Sequence, residues 1–227
     1  MASCSILIYK IDIHTNYSMN DIIQNLESNV LDETRVVIDE YSNDSLAGTY
    51  VYSEISKIRE YNFEENKFEF VTQKKYLATE FHMSLRDGCL DIWGKQKNAQ
   101  HIITAISLAF DNNISIEPAY MDFNNIVDFL KERENIYVNK VCVFGLVLEK
   151  DLLADCTINL VGKEQPFKII DRYRENINKV SFKWKCDNNI VAIVLYRSGA
   201  ITIHKERHLI TFNELNNIYD MLLHGRR

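Results

Sequence analysis

The stretch Phe81-His-Met-Ser-Leu-Arg-Asp-Gly-Cys-Leu-Asp-Ile-Trp93 alternates apolar and polar residues on either side of Asp87-Gly88. Alternation at a period of two belongs to a strand facing a core on one side, and Asp-Gly between two such runs is a hairpin turn. Phe81 to Leu85 and Leu90 to Trp93 therefore read as paired strands. The pattern returns later in the chain, where Met83-x-Leu85-x-x-Gly88-x-Leu90-x-Ile92 lines up with Val194-x-Tyr196-x-x-Gly199-x-Ile201-x-Ile203.

Outward from the first hairpin, Ile6 to Ile13 reads as a strand, and Ser18 followed by Asp21, Ile22, Ile23 and Leu26 as a capped amphipathic helix. Arg35 to Tyr41, Thr49 to Ile58 and Phe68 to Thr72 are further strands, and a helix from Asn98 to Phe110 carries Ile102, Ile103, Ile106 and Phe110 on one stripe. The second half follows the same order. A strand at Ile114 to Glu117 and a helix at Asn125 to Glu134 precede strands at Val141 to Leu148, Cys156 to Val161, Val180 to Lys185, Ile190 to Tyr196 and Ala200 to Lys205. A helix from Phe212 to Leu223 closes it, with Pro166 to Asn178 as an additional short helix.

A second coincidence supports duplication: Ile58-x-x-Tyr61-x-x-x-x-Asn66-Lys67-Phe68-x-Phe70 matches Ile170-x-x-Tyr173-x-x-x-x-Asn178-Lys179-Val180-x-Phe182 at five identical residues. The expected fold is α+β, with two tandem β-α-β-β-β-β-β-α repeats over 1–112 and 113–227. Their antiparallel sheets are expected to be covered by helices on one face, as one continuous pseudo-symmetric unit.

Composition bounds the function. The chain has 227 residues, 46% hydrophobic, with only seven Gly and two Pro, so it can bury a core. Lys and Arg total 26 against 32 Asp and Glu, a formal charge of -6, which speaks against a protein that coats nucleic acid with its whole surface. The longest apolar run, Val141 to Leu148, is far short of the roughly 20 residues of a membrane-spanning helix, so no membrane partner is expected. Met1-Ala-Ser-Cys-Ser has no basic run leading into an apolar one, and Ala2 stands where myristoylation takes glycine, so the chain reads as cytoplasmic. The five cysteines, Cys4, Cys89, Cys142, Cys156 and Cys186, form no C-x-x-C pair and fit reduced thiols.

The β-α-meander-α order, with the Gly88 and Gly199 hairpins, resembles the duplicated fold of the TATA-binding protein family. That resemblance implies two repeats forming a saddle whose sheet faces a ligand. The strand Ile6-Leu-Ile-Tyr-Lys-Ile11 and the hairpin Leu85-Arg-Asp-Gly-Cys-Leu-Asp-Ile92 are also similar to parts of the recombination-associated protein RdgC family, ring-forming DNA binders with a longer chain. Both resemblances imply nucleic acid as a ligand.

Alternation then sorts the candidate residues by face. With Met83, Leu85, Leu90 and Ile92 inward, His82, Ser84, Asp91 and Trp93 share the outer face of the first hairpin. In the second copy Ser181, Lys183, Lys185, Thr202 and His204 point outward, and so do Ile193 and Leu195, an apolar pair calling for a partner or a second subunit. Lys183 and Lys185 suit phosphates and Trp93 suits a stacked base, while the alternative is a solvated face with an incidental tryptophan. His82 and Asp91 are placed to pair across the hairpin, but no nucleophile accompanies them. His204-Lys-Glu-Arg-His208 puts two histidines four apart without the glutamate or third ligand of a metal site, so it reads as a pH-sensitive surface turn. Lys131-Glu-Arg-Glu134 and Lys205-Glu-Arg207 read as solvated charge runs. Arg226-Arg227 adds two cations that can meet an anionic partner.

No G-x-G-x-x-G, P-loop, G-x-S-x-G or kinase-type string occurs, and no cofactor or metal is expected. The sequence thus points to a non-enzymatic binding or assembly module acting through an open sheet face or edge. The charge favours a protein partner or homo-oligomer. The alternatives are a DNA- or RNA-binding protein using Trp93, Lys183 and Lys185, and an unrecognised enzyme built on His82 and Asp91.

Overall fold

The computed structural model describes residues 3–14, 17–28, 33–149, 152–186 and 189–225, so Arg226-Arg227 lies outside the described residues. In chain order the elements are β1 (Cys4–Ile13), α1 (Met19–Ser28), β2 (Thr34–Tyr41), β3 (Ser45–Asn62), β4 (Lys67–Ser84), β5 (Cys89–Trp93) and α2 (Gln96–Ala109). There follow β6 (Ile114–Pro118), α3 (Phe123–Lys131), β7 (Ile136–Glu149), β8 (Leu152–Asn159), α4 (Pro166–Tyr173), a 3-10 turn (Arg174–Asn176), β9 (Ile177–Cys186), β10 (Asn189–Tyr196), β11 (Ala200–Ile203), a second 3-10 turn (Arg207–Leu209) and α5 (Phe212–Gly225). The class is α+β, with extensive antiparallel pairing. Among the described residues no helix is long and apolar enough to cross a membrane. The chain divides into two compact units, one of residues 10–116 and the other of residues 1–9 with 117–227.

In the 10–116 unit the strands run in the order β2-β3-β4-β5, with β1 beside β5. Ser18 and Asp21 exchange side-chain and backbone hydrogen bonds at the start of α1, satisfying donors the first turn leaves without partners. Leu46, Tyr50, Tyr52, Phe81, Met83, Leu90 and Ile92 are buried on one sheet face. The helices cover that face: Asn98 of α2 donates to Thr79 of β4 at 3.2 Å, and His101 stacks on Tyr52 of β3.

The strands expected at Phe68 to Thr72 and Phe81 to Leu85 are one strand here. No Gly, Pro, Asn or Asp lies between Lys67 and Ser84, so nothing breaks β4, and it pairs with β3 along its whole 18-residue length. β2 pairs only with residues 46–52 of β3, and β5 only with 81–84 of β4, so the rest of the two strands extends as a two-stranded ribbon. The coincident strings meet different fates. Ile58 and Tyr61 lie in β3, whereas Ile170 and Tyr173 lie in α4.

In the other unit the order is β8-β7-β9-β10-β11, with residues 4–7 of β1 paired antiparallel to β11. Val141, Val180, Phe182, Trp184, Ile193, Leu195, Ile201 and Ile203 are buried with Ile126, Val127 and Leu130 of α3 and Ile218, Met221 and Leu222 of α5. Phe129 of α3 meets Trp184 of β9 edge to face, and Arg174 ties the end of α4 to Asp128 of α3 with two hydrogen bonds, at 3.2 and 2.6 Å.

Ile193 and Leu195 do not face outward as expected: they are 1% and 0% exposed. The first hairpin closes with Ser84 opposite Cys89, leaving a four-residue loop, 85–88. The second pairs Leu195 with Ile201, a register that carries on to Tyr196 opposite Ala200 at the strand ends and leaves a three-residue loop, 197–199, one residue shorter. One residue of slip turns every side chain of a strand to the other face. Val194 and Tyr196 therefore take the outward positions, and Ile193 and Leu195 enter the core opposite Phe182 and Val180.

Candidate functional site

The face of the 117–227 unit away from α3 and α5 is built rung by rung from its registers. Lys183 on β9 lies between Tyr137 on β7 and Ala192 on β10, and Ser181 lies between Lys140 and Val194. Lys179 lies between Cys142 and Tyr196, and Lys185 pairs with Ile190. The rows continue through Thr202 opposite Val194, and through Ser5 and Leu7 opposite Thr202 and Ala200. None of these positions is Asp or Glu. Lys140, Lys183 and Lys185 are exposed, and Lys179 sits with its Nζ 5.5 Å from the centre of the Tyr196 ring. Four lysines against one carboxylate, the exposed Asp155 of β8 that accepts from the Gly145 N–H at the edge of the sheet, make this face positive on balance in a protein whose formal charge is -6. Tyr137, 56% exposed beside Lys183, adds a flat ring. Tyr137, Lys140 and Lys179 were not expected on this face because the strands read from the sequence begin at Val141 and Val180, whereas β7 begins at Ile136 and β9 at Ile177.

The remaining candidates fall elsewhere. Trp93 is half-buried at the end of β5, in the 10–116 unit, whereas Lys183 and Lys185 belong to the other. His82 and Asp91 face each other across β4 and β5, with Nδ1 and Oδ2 3.6 Å apart, too far for a formed hydrogen bond. Asp91 is 1% exposed and Ser84 is also buried, so this side of the hairpin is not the open polar patch alternation suggested. A surface pocket of about 520 Å³ in the same unit is lined by Ile11, Asp12, Ile13, Tyr17 and residues 85–88, with no Ser, Cys or His to act as nucleophile.

His204 is exposed just past β11, and His208 lies in the following 3-10 turn with its Nδ1 3.5 Å from Glu206. Among the described residues no group of three or more His, Cys, Asp or Glu is placed to hold a metal ion. Lys205 is not part of a solvated run. Its Nζ donates to both carboxylate oxygens of buried Glu214, at 2.9 and 2.7 Å.

No protein-family model matches this chain, and no curated protein matches it.

Proposed function

We propose that the protein is a non-enzymatic binding module that holds a single-stranded nucleic acid on the outward sheet face of its 117–227 unit. The observation that carries this reading is the clustering of Lys140, Lys179, Lys183 and Lys185 on the outward rungs of β7, β9 and β10, which hold no carboxylate, with Asp155 of β8 at the sheet edge as the one acid beside them. Lysines neutralise phosphates and release their counterions, and an exposed ring such as Tyr137 stacks on a splayed base. The acidic total is no obstacle, because polyanion binding depends on the local field. Trp93 is left out of this face, and His82 and Asp91 perform no step in it.

The same reading takes the two halves as copies of one β-α-β-β-β-β-α unit, with β8 and α4 inserted in the second. Supporting it, β2-β3-β4-β5 and β7-β9-β10-β11 are each antiparallel four-strand meanders, and α1 packs on α2 as α3 packs on α5. The resemblance to the TATA-binding protein family rests on this order.

The test is fluorescence anisotropy of a labelled oligothymidine and a labelled duplex across a salt series. Four phosphate contacts on a single strand give a slope of log K against log salt of about -3, and Lys183→Glu with Lys185→Glu should halve it. Absence of binding at low salt, or binding indifferent to the double substitution, would reject the reading.

A further inference from the structure

We propose that the β3–β4 ribbon is a self-assembly arm, in which one face of the ribbon on one copy of this chain packs on the opposite face of the ribbon on another. The register decides which side chains share a face. On one lie Ile55 with Lys74, Lys57 with Thr72, Arg59 with Phe70 and Tyr61 with Phe68. On the other lie Glu54 with Lys75, Ser56 with Gln73, Ile58 with Val71 and Glu60 with Glu69. The first carries three cations and no acid; the second, which ends on Asn62 with Lys67, carries three glutamates and two lysines.

Part of this charge is already engaged within the chain. Lys74 pairs with Glu33, and Glu54 with Lys97. Lys67 is held by Glu65, and what remains toward the tip is Lys57 and Arg59 on one face and Glu60 and Glu69 on the other, on adjoining rungs and therefore at the same height along the arm, with Lys75 further back beside Glu54.

The apolar content points the same way. Phe70 is 73% exposed, Ile55 66% and Phe68 58%, a run of large side chains beyond the reach of α1 and α2 on a ribbon too thin to bury them itself. Laying this face on the opposite face of a second ribbon covers the rings with Ile58 and Val71 and sets Lys57 and Arg59 against Glu60 and Glu69. Stacking like on like would set Lys57 and Arg59 against themselves. Unlike surfaces meeting make a heterologous interface, which either closes into a ring or propagates. A polyanion is the poorer occupant of the arm, since Glu64 and Glu65 form its tip and Glu60 and Glu69 back it.

Sedimentation velocity on the full chain tests this without reference to the lysine face. The weight-average mass should climb with concentration to at least twice the 26.6 kDa of one chain, and fall back with added salt. Lys57→Glu with Arg59→Glu, and separately Glu60→Lys with Glu69→Lys, should each hold the protein at monomer mass with the urea midpoint unchanged. An equimolar mixture of the two variants should associate again, because every contact in an alternating chain is then between opposite charges. A wild type that stays monomeric, variants that associate as it does, or a mixture that remains monomeric would each overturn the proposal. Loss of oligothymidine binding in the Lys57 and Arg59 variant, with no self-association of the wild type, would assign the arm to nucleic acid instead.

Discussion

Glu214 is 2% exposed at the start of α5, and three hydrogen bonds hold its carboxylate: two from Lys205 and one from the backbone N–H of Thr211 at 2.8 Å. Its own N–H donates to Thr211 Oγ1 at 3.3 Å, completing a reciprocal capping box. Lys205→Met leaves that carboxylate buried without its counterion. Removing one partner of a buried pair costs about 3 to 5 kcal/mol, and with Lys205 one-fifth exposed the lower end, about 3 kcal/mol, is expected from the shift of the urea midpoint at constant slope. Adding Glu214→Gln to Lys205→Met should recover part of the loss, since an amide needs no counterion. The sequence showed Lys205-Glu-Arg207 as a solvated charge run, and the burial of Lys205 against α5 was not legible in it. Three neighbouring charges of mixed sign look the same whether they point into water or one of them reaches back to a helix. Arg197 escaped for the same reason: it donates from Nε to the carbonyl of Ile177 at 2.8 Å and from a terminal nitrogen to that of Glu175, contacts between segments some twenty residues apart.

At the level of elements, the second hairpin turns on Gly199. Its φ of +81° is left-handed backbone, and a Cβ there would stand 2.2 Å from the carbonyl oxygen of Ala119, which is main chain and cannot swing aside. Gly145 in the bulge of β7 has φ +61° but nothing within 4 Å of the added atom. Gly145→Ala therefore carries only the left-handed penalty, about 1 kcal/mol, whereas Gly199→Ala adds a backbone clash, for a total of about 3 kcal/mol. Equal shifts of the two unfolding midpoints would contradict this account. The sequence marked both hairpin glycines and most strands, because glycine and the period of two are local signals. It missed the facing of Ile193 and Leu195 because one residue of loop length, which alternation cannot register, sets the phase of the whole strand. It split β4 because Thr72-Gln-Lys-Lys75 reads as a polar break, though a ribbon exposed on both faces is polar without turning.

Over the whole molecule, the chain is not partitioned at a single point. A reading by order of elements divides it at 112/113, whereas compactness groups residues 1–9 with 117–227, so one unit is assembled from both ends of the described chain. No local signal reveals this, since β1 is a single uninterrupted strand whose Cys4, Ser5, Ile6 and Leu7 pair with Ile203, Thr202, Ile201 and Ala200. A fragment of residues 113–227 retains all of β11 but none of that partner. Its edge would present unpaired N–H and C=O groups beside Ile201 and Ile203, both 0% exposed in the intact chain, and it would lack Ile6 and Ile8, which are 0% and 1% exposed. Each buried isoleucine contributes about 1.5 to 3 kcal/mol, so losing two removes a large part of the roughly 5 to 15 kcal/mol that holds a domain folded. The 113–227 fragment is therefore expected to aggregate or to show no cooperative transition in urea, while the full chain unfolds cooperatively. Restoring residues 1–9 through a flexible linker ahead of residue 113 should bring back a sigmoidal transition if the pairing with β11 is what was lost. Cooperative unfolding of the fragment without residues 1–9 would mean that β11 tolerates an open edge, and that the first strand belongs energetically to the 10–116 unit alone.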